Sequence, residues 1–385
     1  MKLLCFSPEK RIVRPVHARA TMTPLFRATA IPAWTKEWTR HFTKARRPTR
    51  SLRYSSSAPS ASIMSTPWPV EITRDNADAI LDQFDTLILD CDGVIWHVDH
   101  ATKFGRVQAA LNKFRDKGKR VLFASNNSIP STEALTEKIL RLTGYAASPA
   151  DNFSVNRAVR FKLEQLLEKP TDAVYLMASQ GLEDELTLHG INHFGNGPDD
   201  TPPSYELADI AAIPLVDDVK VVVVGQDEHF NFMKLTKAAS YLKRRNGDDW
   251  QCHFLATSWE TGYEFAPGRV QPIAGSLAQC VAACANREPT YIGKPGPIIM
   301  EAICGSVPGF DKSRALMIGD SLRSDMGFAK HNGIASLAVL SGVSSVETMR
   351  MYQEDTTGSH YGMPLHTLLP DYYVGSILDL ADALK

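Results

Sequence analysis

Two carboxylates stand at the end of a short apolar stretch, in Asp90-Cys91-Asp92-Gly93. The preceding residues, 86–89, are apolar or β-forming, which is typical of a buried parallel strand that ends at a turn. Ligands bind at the carboxyl ends of strands in open α/β sheets. Carboxylates there can hold a hard cation, and one of them can attack phosphorus. We therefore interpret Asp90 as a nucleophile, and Asp92 as a general acid that protonates the leaving oxygen and later activates water.

Polar residues also end three other predicted strands. Ser125 and Asn126 follow one of them, Lys294 ends the next and Asp320 the last. In a doubly wound parallel sheet such strand ends meet at one crevice. The sequence therefore predicts that these side chains line a single site together with the two carboxylates above.

Each of these groups suits phosphoryl transfer, which depends on in-line positioning and on neutralising charge. Ser125 and Asn126 can donate hydrogen bonds to phosphate oxygens, and Lys294 brings a positive charge to the phosphate and to Asp90. Asp320 would complete an oxygen-rich site for Mg²⁺. The ion neutralises charge as two anions approach each other, so that Asp90 can form an aspartyl-phosphate.

Several neighbouring residues have two interpretations. Asp325 either orients Lys294 or is an acid at a helix N-terminus, where the helix dipole favours negative charge. Trp259 and Tyr263 either line a substrate pocket or pack inside their own unit. Three histidines are interpreted as surface or loop residues rather than ligands, because the expected cation prefers oxygen: His97, His100 and His229.

The order of the predicted elements indicates an α/β fold. Helical spacing in Arg106–Lys117 separates two apolar strands, and a helix from Ser131 or Thr132 to Leu142 follows the second. Such alternation is typical of βαβ units in a parallel sheet. The sequence thus predicts a doubly wound parallel sheet as the core, with a second α/β unit inserted into it.

Four segments are expected along the chain. Residues 1–63 would be a leader, 64–171 the first part of the core, 172–288 an α/β cap and 289–385 the second part of the core. The strand rhythm restarts near Asp172, and residues 195–206 are rich in Gly, Pro and Asp, as loops are. The core is expected to resume with a strand at 289–294 that ends in Lys294.

The N-terminal residues differ in composition from the rest. Residues 1–62 hold 13 Lys/Arg and two acids, whereas 63–385 holds 29 of the 42 basic and 41 of the 43 acidic residues. An Arg-rich leader that ends in a Ser-rich run is typical of a transit peptide, which would place the protein in mitochondria or another organelle. Alternatively the leader is a disordered tail, or translation starts at Met64, and the protein is cytoplasmic.

Composition also restricts the partners. An acidic body argues against nucleic acid as the main partner. No run of about 18 apolar residues is present, so no membrane span is expected. The six cysteines lack a disulfide or zinc spacing, which favours a reducing compartment. The expected partner is a small phosphorylated metabolite.

Together the motifs resemble those of the haloacid dehalogenase superfamily: Asp90-Cys91-Asp92-Gly93-Val94, Ser125-Asn126-Asn127-Ser128, Gly293-Lys294-Pro295, and Gly319-Asp320 with Asp325. Their order and spacing are similar to the branch of p-nitrophenyl phosphatases, phosphoglycolate phosphatases and pyridoxal phosphatases, from about Phe84 to the C-terminus. This resemblance implies a phosphoric monoester hydrolase with an α/β core and a large α/β cap between the second and third motifs. It also implies a homodimer formed through the cap.

The resemblance assigns roles to individual residues as well. It implies that three residues bind Mg²⁺: Asp90, Asp92, through its backbone carbonyl, and Asp320. It implies that four residues contact the phosphate or the substrate: Ser125, Asn126, Asn127 and Lys294.

Two segments depart from the family pattern. Family members often carry basic residues after Asn-Asn-Ser, where this chain has Ile129-Pro130-Ser131-Thr132. In the cap loop, Thr257 is followed by Ser258-Trp259-Glu260-Thr261-Gly262-Tyr263 rather than by Asn or Asp. That loop helps to choose the substrate, so 2-phosphoglycolate, pyridoxal phosphate and sugar phosphates all stay open. A non-catalytic phosphometabolite-binding protein and a mutase or phosphotransferase that uses the same intermediate are further alternatives on the same fold.

Overall fold

The computed structural model describes residues 67–355 and 357–385, and the expected leader, residues 1–63, lies outside them. Seven of the described strands form a larger sheet, in the order Val70–Glu71, Tyr372–Val374, Ala335–Val339, Ala315–Gly319, Thr86–Leu89, Arg120–Ser125 and Asn152–Ser154. Every neighbouring pair in it is parallel. The predicted α/β core with a parallel sheet is confirmed.

The strand Thr86–Leu89, which is fifth of the seven in the larger sheet, is buried on both faces. Leu87 and Leu89 belong to one hydrophobic cluster and Ile88 to another, because successive side chains of a strand point to opposite faces. Its two neighbours in the sheet are the strands 315–319 and 120–125. The residues that follow these three parallel strands therefore meet at one edge of the sheet.

Five further described strands form a smaller parallel sheet, in the order Thr290–Tyr291, His253–Ala256, Val219–Val224, Ala173–Met177 and His193–Phe194. The sequence predicts that a strand at 289–294 resumes the core, but the structure places this strand in the smaller sheet instead. Thr290 and Tyr291 pair with Leu255 and Ala256, at the edge of the smaller sheet. Strand pairing depends on side-chain packing between distant segments, which the local apolar pattern does not encode.

Helices pack on both sheets. The α-helices are Ala77–Leu81, Val107–Asp116, Thr132–Thr143, Val155–Leu166, Gln180–Leu188, Leu207–Ala211, Phe232–Leu242, Ala274–Ala285, Ile298–Ser306, Gly327–Asn332, Val346–Glu354 and Ile377–Ala383. A π-helical turn covers Leu322–Met326, and 3₁₀ turns cover Pro149–Asp151, Lys312–Arg314 and Leu365–Leu368. Three antiparallel hairpins join Arg245–Asn246 to Asp249–Trp250, Gly262–Ala266 to Arg269–Pro272, and Ser359–His360 to Met363–Pro364.

Local signals explain the helix that follows the Ser125 strand. Oγ of Ser131 accepts a hydrogen bond from the amide of Ala134 at 3.2 Å, which satisfies one of the unpaired donors of the first turn. Gly144 ends the helix with φ of 78°, a left-handed conformation that glycine adopts without strain. The predicted helix between Ser131 and Gly144 is confirmed.

One hydrophobic cluster joins the two sheets. It contains Ile88 and Met317 of the larger sheet together with Val174 and Val221 of the smaller one. Burying an aliphatic side chain of this kind stabilises the fold by about 1.5–3 kcal/mol. The two sheets are therefore held against each other around the strand ends. Within 67–355 and 357–385, no helix combines the length and the apolar character that a bilayer crossing needs.

Candidate active site

Lys294 lies at the centre of a buried group of charges. Its Nζ donates to Oδ1 of Asp90 at 2.8 Å, to Oδ1 of Asp325 at 2.7 Å and to the main-chain oxygen of Ala124 at 2.7 Å. The Lys294 side chain is only 1% exposed. Burial by itself lowers the pKa of Lys294, but the two carboxylates outweigh burial and raise it above its usual range. The ammonium therefore stays charged beside Asp90.

Asp325 is fully buried and uses both carboxylate oxygens. Oδ1 accepts from Lys294, and Oδ2 accepts from the amide of Ser321 at 3.0 Å. A Cβ added to Gly319 would lie 2.2 Å from Cγ of Asp325, so the strand end must be glycine for the carboxylate to fit. Of the two interpretations of Asp325, the contact with Lys294 supports orientation of the lysine.

Three carboxylates crowd together at the strand ends. One oxygen from each of Asp90, Asp320 and Asp325 lies within 4.8 Å of the other two. Burial raises the pKa of Asp90 well above its usual range, with the neighbouring carboxylates adding to the rise and Lys294 opposing it. Burial likewise raises the pKa of Asp320 to about 7, and Asp325 adds to the rise. An oxygen-only donor set with surplus negative charge fits Mg²⁺.

Asp320 is held by the loop that follows the strand 335–339. Its Oδ2 accepts from the amide of Val343 at 2.9 Å, and its main-chain oxygen accepts from the amide of Ser344 at 3.0 Å. A Cβ added to Gly342 would lie 1.8 Å from Oδ2 of Asp320, and one added to Gly93 would lie 2.2 Å from it. Sequence reasoning missed this loop, although a Gly placed just after an apolar strand was a visible signal.

Asp92 has partners of its own. Trp96 donates from Nε1 to Oδ1 of Asp92 at 2.5 Å, and Nδ1 of His100 lies 2.6 Å from the same oxygen. Burial raises the pKa of Asp92, but the hydrogen bonds from His100 and Trp96 outweigh burial and leave it below its usual range. The sequence had suggested a surface or loop position for His100, and it is indeed in a loop, yet it contacts the expected general acid.

The polar residues after the strand 120–125 are also brought to the site. Asn126 accepts from the amide of Lys294 at 2.7 Å and donates from Nδ2 to the Lys294 carbonyl at 2.9 Å. Oγ of Ser125 accepts from the amide of Asn127 at 3.1 Å, and Oδ1 of Asn127 accepts from the amide of Ile129 at 3.0 Å. These contacts shape a turn directly beside the ammonium of Lys294.

Two aromatic residues of the smaller unit lie at the edge of the site. Trp259 donates from Nε1 to the main-chain oxygen of Lys294 at 3.1 Å, and its ring packs on His360 with centroids 4.1 Å apart. The ring of Tyr263, on the hairpin 262–272, lies 6.3 Å from that of His100. Both aromatic residues therefore contact parts of the site rather than only their own unit.

Comparison with known proteins agrees with this geometry. Residues 87–192 match the family model of haloacid dehalogenase-like hydrolases, and residues 291–360 match a second, HAD-hydrolase-like model. The chain is 36% identical to glycerol-3-phosphate phosphatase of Gallus gallus over 81% of this chain and 95% of that protein. It is 30% identical to the chloroplastic phosphoglycolate phosphatase 1A of Arabidopsis thaliana over 79% of this chain and 78% of that protein.

A solved structure shares the fold over most of the chain. The p-nitrophenyl phosphatase from Archaeoglobus fulgidus is 27% identical and superposes with a TM-score of 0.62, over 78% of this chain and 99% of the archaeal chain. The resemblance seen in the four motifs is thereby confirmed. The chain belongs to the haloacid dehalogenase-like hydrolases, in their branch of phosphoric monoester phosphatases.

Proposed function

We propose that this chain is a Mg²⁺-dependent phosphatase that hydrolyses small phosphate monoesters through a phosphorylated Asp90. The observation that carries this proposal is the contact of the buried Lys294 ammonium with Asp90, next to the carboxylates of Asp320 and Asp325. An ammonium and an oxygen-rich cation site on one carboxylate are what a nucleophile needs when it must approach an anionic phosphate.

The attack would use the second oxygen of Asp90. Lys294 binds Oδ1, which holds the carboxylate in place and stabilises its anion. A carboxylate oxygen of Asp90 forms a bond to phosphorus as the bond to the leaving oxygen breaks, and Asp92 gives that oxygen a proton. Water then attacks the same phosphorus, Asp92 takes its proton, and Asp90 is regenerated with release of phosphate.

The remaining residues would bind the substrate. The hydroxyl of Ser125, the turn at Asn126 and Asn127, and the ammonium of Lys294 would contact phosphate oxygens. Both N–H groups of the Asn126 amide are directed at Lys294 and Ser324, so Asn126 would act through its main chain. Tyr263 would contact the organic part of the substrate.

Magnesium fits the carboxylate set and would be held by Asp90, Asp320 and the main-chain oxygen of Asp92. When bound, it would neutralise negative charge shared by the nucleophile and the phosphate. The Asp92 carboxylate itself contacts Trp96 and His100, so we assign it to proton transfer rather than to binding of the ion.

The substrate class is a small alkyl phosphate. Our first candidate is 2-phosphoglycolate, and glycerol 3-phosphate is added because relatives of this chain are named for it. The hydrogen bond from Trp259 to the Lys294 main chain supports a small substrate, because it fixes the indole close to the residue that would bind the phosphate. Pyridoxal phosphate and sugar phosphates stay as alternatives for the same chemistry.

Location and assembly are also proposals. A transit peptide in residues 1–62 would take the protein to an organelle, and fusing these residues to a fluorescent protein tests this directly. A homodimer through the smaller unit would be detected by light scattering of the purified protein.

The decisive test is phosphate release by protein starting at Met64. Wild-type protein, Asp90→Asn and the surface control Asp116→Asn are assayed on a panel of phosphate esters with Mg²⁺ or with EDTA. We expect Mg²⁺-dependent turnover in wild type and control, and a loss of about 10³-fold or more in Asp90→Asn. Mass spectrometry after acid quenching is expected to find a phosphoryl group on Asp90. Turnover near the wild-type rate in Asp90→Asn would refute the nucleophile. Binding of phosphate esters without hydrolysis would instead support the non-catalytic alternative.

A further inference from the structure

We propose that His100 is a positioning residue for Asp92, which fixes the carboxyl group so that the transferable proton is carried by Oδ2. This inference rests on the function proposed above, in which Asp92 is the general acid. It concerns a loop residue that no motif of the active site includes.

Both partners of Asp92 use the same oxygen. Nδ1 of His100 and Nε1 of Trp96 lie 2.6 Å and 2.5 Å from Oδ1. An ionised carboxylate only accepts hydrogen bonds, so Nδ1 of His100 must carry a proton and donate it. With two donors on Oδ1, a proton on the Asp92 carboxyl must occupy Oδ2. Two fixed contacts on one oxygen also prevent the carboxyl from exchanging its oxygens by rotation.

The loop around His100 is built to present the imidazole. Asp99 closes it by accepting from the amides of Ala101 and Thr102 at 3.0 Å and 2.8 Å. The amide of His100 donates to the carbonyl of His97 at 3.0 Å. His100 has φ of 62°, in the left-handed region that few residues other than Gly, Asn, Asp and His adopt readily. This turn aims the side chain back at the strand end.

The smaller unit reaches the same imidazole. The Tyr263 ring lies 6.3 Å from the His100 ring, so the imidazole is situated between Asp92 and the hairpin 262–272. The Asp92 side chain is 20% exposed, against 48% for His100. His100 therefore shields the general acid from water on the side from which the hairpin approaches.

Substitutions can separate the donor from the turn. Asn places an amide N–H at the position of Nδ1 and tolerates the left-handed backbone, so His100→Asn keeps the contact. Asp has the same shape and backbone tolerance but cannot donate when ionised, so His100→Asp removes it. His100→Gly removes the side chain without backbone strain. Ala101→Ser, at an exposed neighbour, controls for change in the loop.

The readout is kcat/KM for two esters, which reports the steps through departure of the leaving group. An alkyl phosphate such as glycerol 3-phosphate needs a proton on its leaving oxygen, whereas 4-nitrophenolate leaves as a stable anion. For the alkyl ester we expect losses on the order of tenfold or more in His100→Gly and His100→Asp. For p-nitrophenyl phosphate we expect losses below about threefold. His100→Asn and Ala101→Ser should stay within about threefold of wild type on both esters.

Other outcomes would overturn the role of His100. Equal losses of kcat/KM on both esters would indicate a structural role alone. A kcat/KM for the alkyl ester that is as low in His100→Asn as in His100→Asp would indicate the same. Unchanged alkyl-ester hydrolysis in His100→Gly would show that Trp96 alone is enough to position the Asp92 carboxyl. Wild-type protein that hydrolyses neither ester with Mg²⁺ would instead refute the proposed function itself.

Discussion

The side-chain amide of Asn126 makes two hydrogen bonds to the main chain of Lys294. Its Oδ1 accepts from the Lys294 amide at 2.7 Å, and its Nδ2 donates to the Lys294 carbonyl at 2.9 Å. The two residues are 168 positions apart and follow strands of different sheets. Trp259 donates to the same carbonyl at 3.1 Å. The ammonium is therefore positioned through its own backbone, at the junction of the two sheets.

Replacing Asn126 with Ala should weaken both folding and turnover. The buried amide of Lys294 loses its acceptor, and an unpaired buried donor costs about 1–3 kcal/mol of unfolding free energy. We expect kcat to fall at least about tenfold, because a small displacement of the ammonium misplaces charge at Asp90. Urea denaturation and steady-state kinetics measure the two effects.

The control for Asn126→Ala is Asn332→Ala, which removes one side-chain hydrogen bond to the Phe328 carbonyl and no contact with Lys294. It should alter stability without altering kcat. A kcat at the wild-type level in Asn126→Ala would contradict the positioning role.

Gly342→Ala tests how closely Asp320 is packed. The new Cβ would lie 1.8 Å from Oδ2 of Asp320, so the carboxylate must move. We expect the Mg²⁺ concentration for half-maximal activity to rise about tenfold or more, since a displaced ligand weakens binding. Gly105→Ala is the matched control, because no atom lies within 4 Å of the Cβ it would add. An unchanged Mg²⁺ dependence in Gly342→Ala would show that Asp320 does not set it.

The residues that form the site could be predicted from the sequence, because most of them directly follow a short apolar run that is typical of a strand. Asp90 and Asp320 come together because they follow adjacent parallel strands of the larger sheet. Lys294 reaches the same site from the edge of the smaller sheet, and it contacts both Asp90 and Asp325 there. Periodicity also located the helix Thr132–Thr143, since its cap and its terminal glycine are local signals.

What the sequence could not supply was the pairing between distant segments. The strand Thr290–Tyr291 looks like any short apolar strand, and only its packing against Leu255 and Ala256 places it in the smaller sheet. The contact of His100 with Asp92 depends on a turn with a left-handed residue, which no periodicity encodes. For the same reason, the loop at Gly342 and Val343 that holds Asp320 was missed.

The raised pKa of Asp320, about 7, predicts how stability depends on pH when Mg²⁺ is removed. Between about pH 5 and pH 7 the folded protein binds a proton that the unfolded chain has lost, so this group stabilises the fold less as pH rises. The contribution of this carboxyl to the unfolding free energy should fall by about 1.4 kcal/mol per pH unit over that window and level off above it. Urea denaturation in EDTA at pH 5, 6, 7 and 8 measures this.

Asp320→Asn provides the comparison, because an amide does not titrate. The difference between wild type and Asp320→Asn isolates the contribution of this carboxyl from all others. Saturating Mg²⁺ should reverse the trend in wild type, since the ion binds the ionised carboxylates. A wild-type curve parallel to that of Asp320→Asn in EDTA would show that the carboxyl does not titrate in this range.

Trp259 and His360 should act together in holding the cap loop over Lys294. Burial lowers the pKa of His360, and Arg323 lowers it further, so a neutral imidazole packs on the indole with ring centroids 4.1 Å apart. Trp259→Phe keeps an aromatic ring and loses the hydrogen bond to the Lys294 carbonyl, so KM should rise a few-fold. Trp259→Ala should raise KM further.

A double-mutant cycle of Trp259→Ala with His360→Ala measures the coupling between the two rings. Aromatic contacts contribute about 0.5–1.5 kcal/mol beyond area burial, which is the coupling that we expect. The cycle is measured in both KM and unfolding free energy. Coupling in stability without coupling in KM would mean that the pair stabilises the fold but does not affect substrate binding.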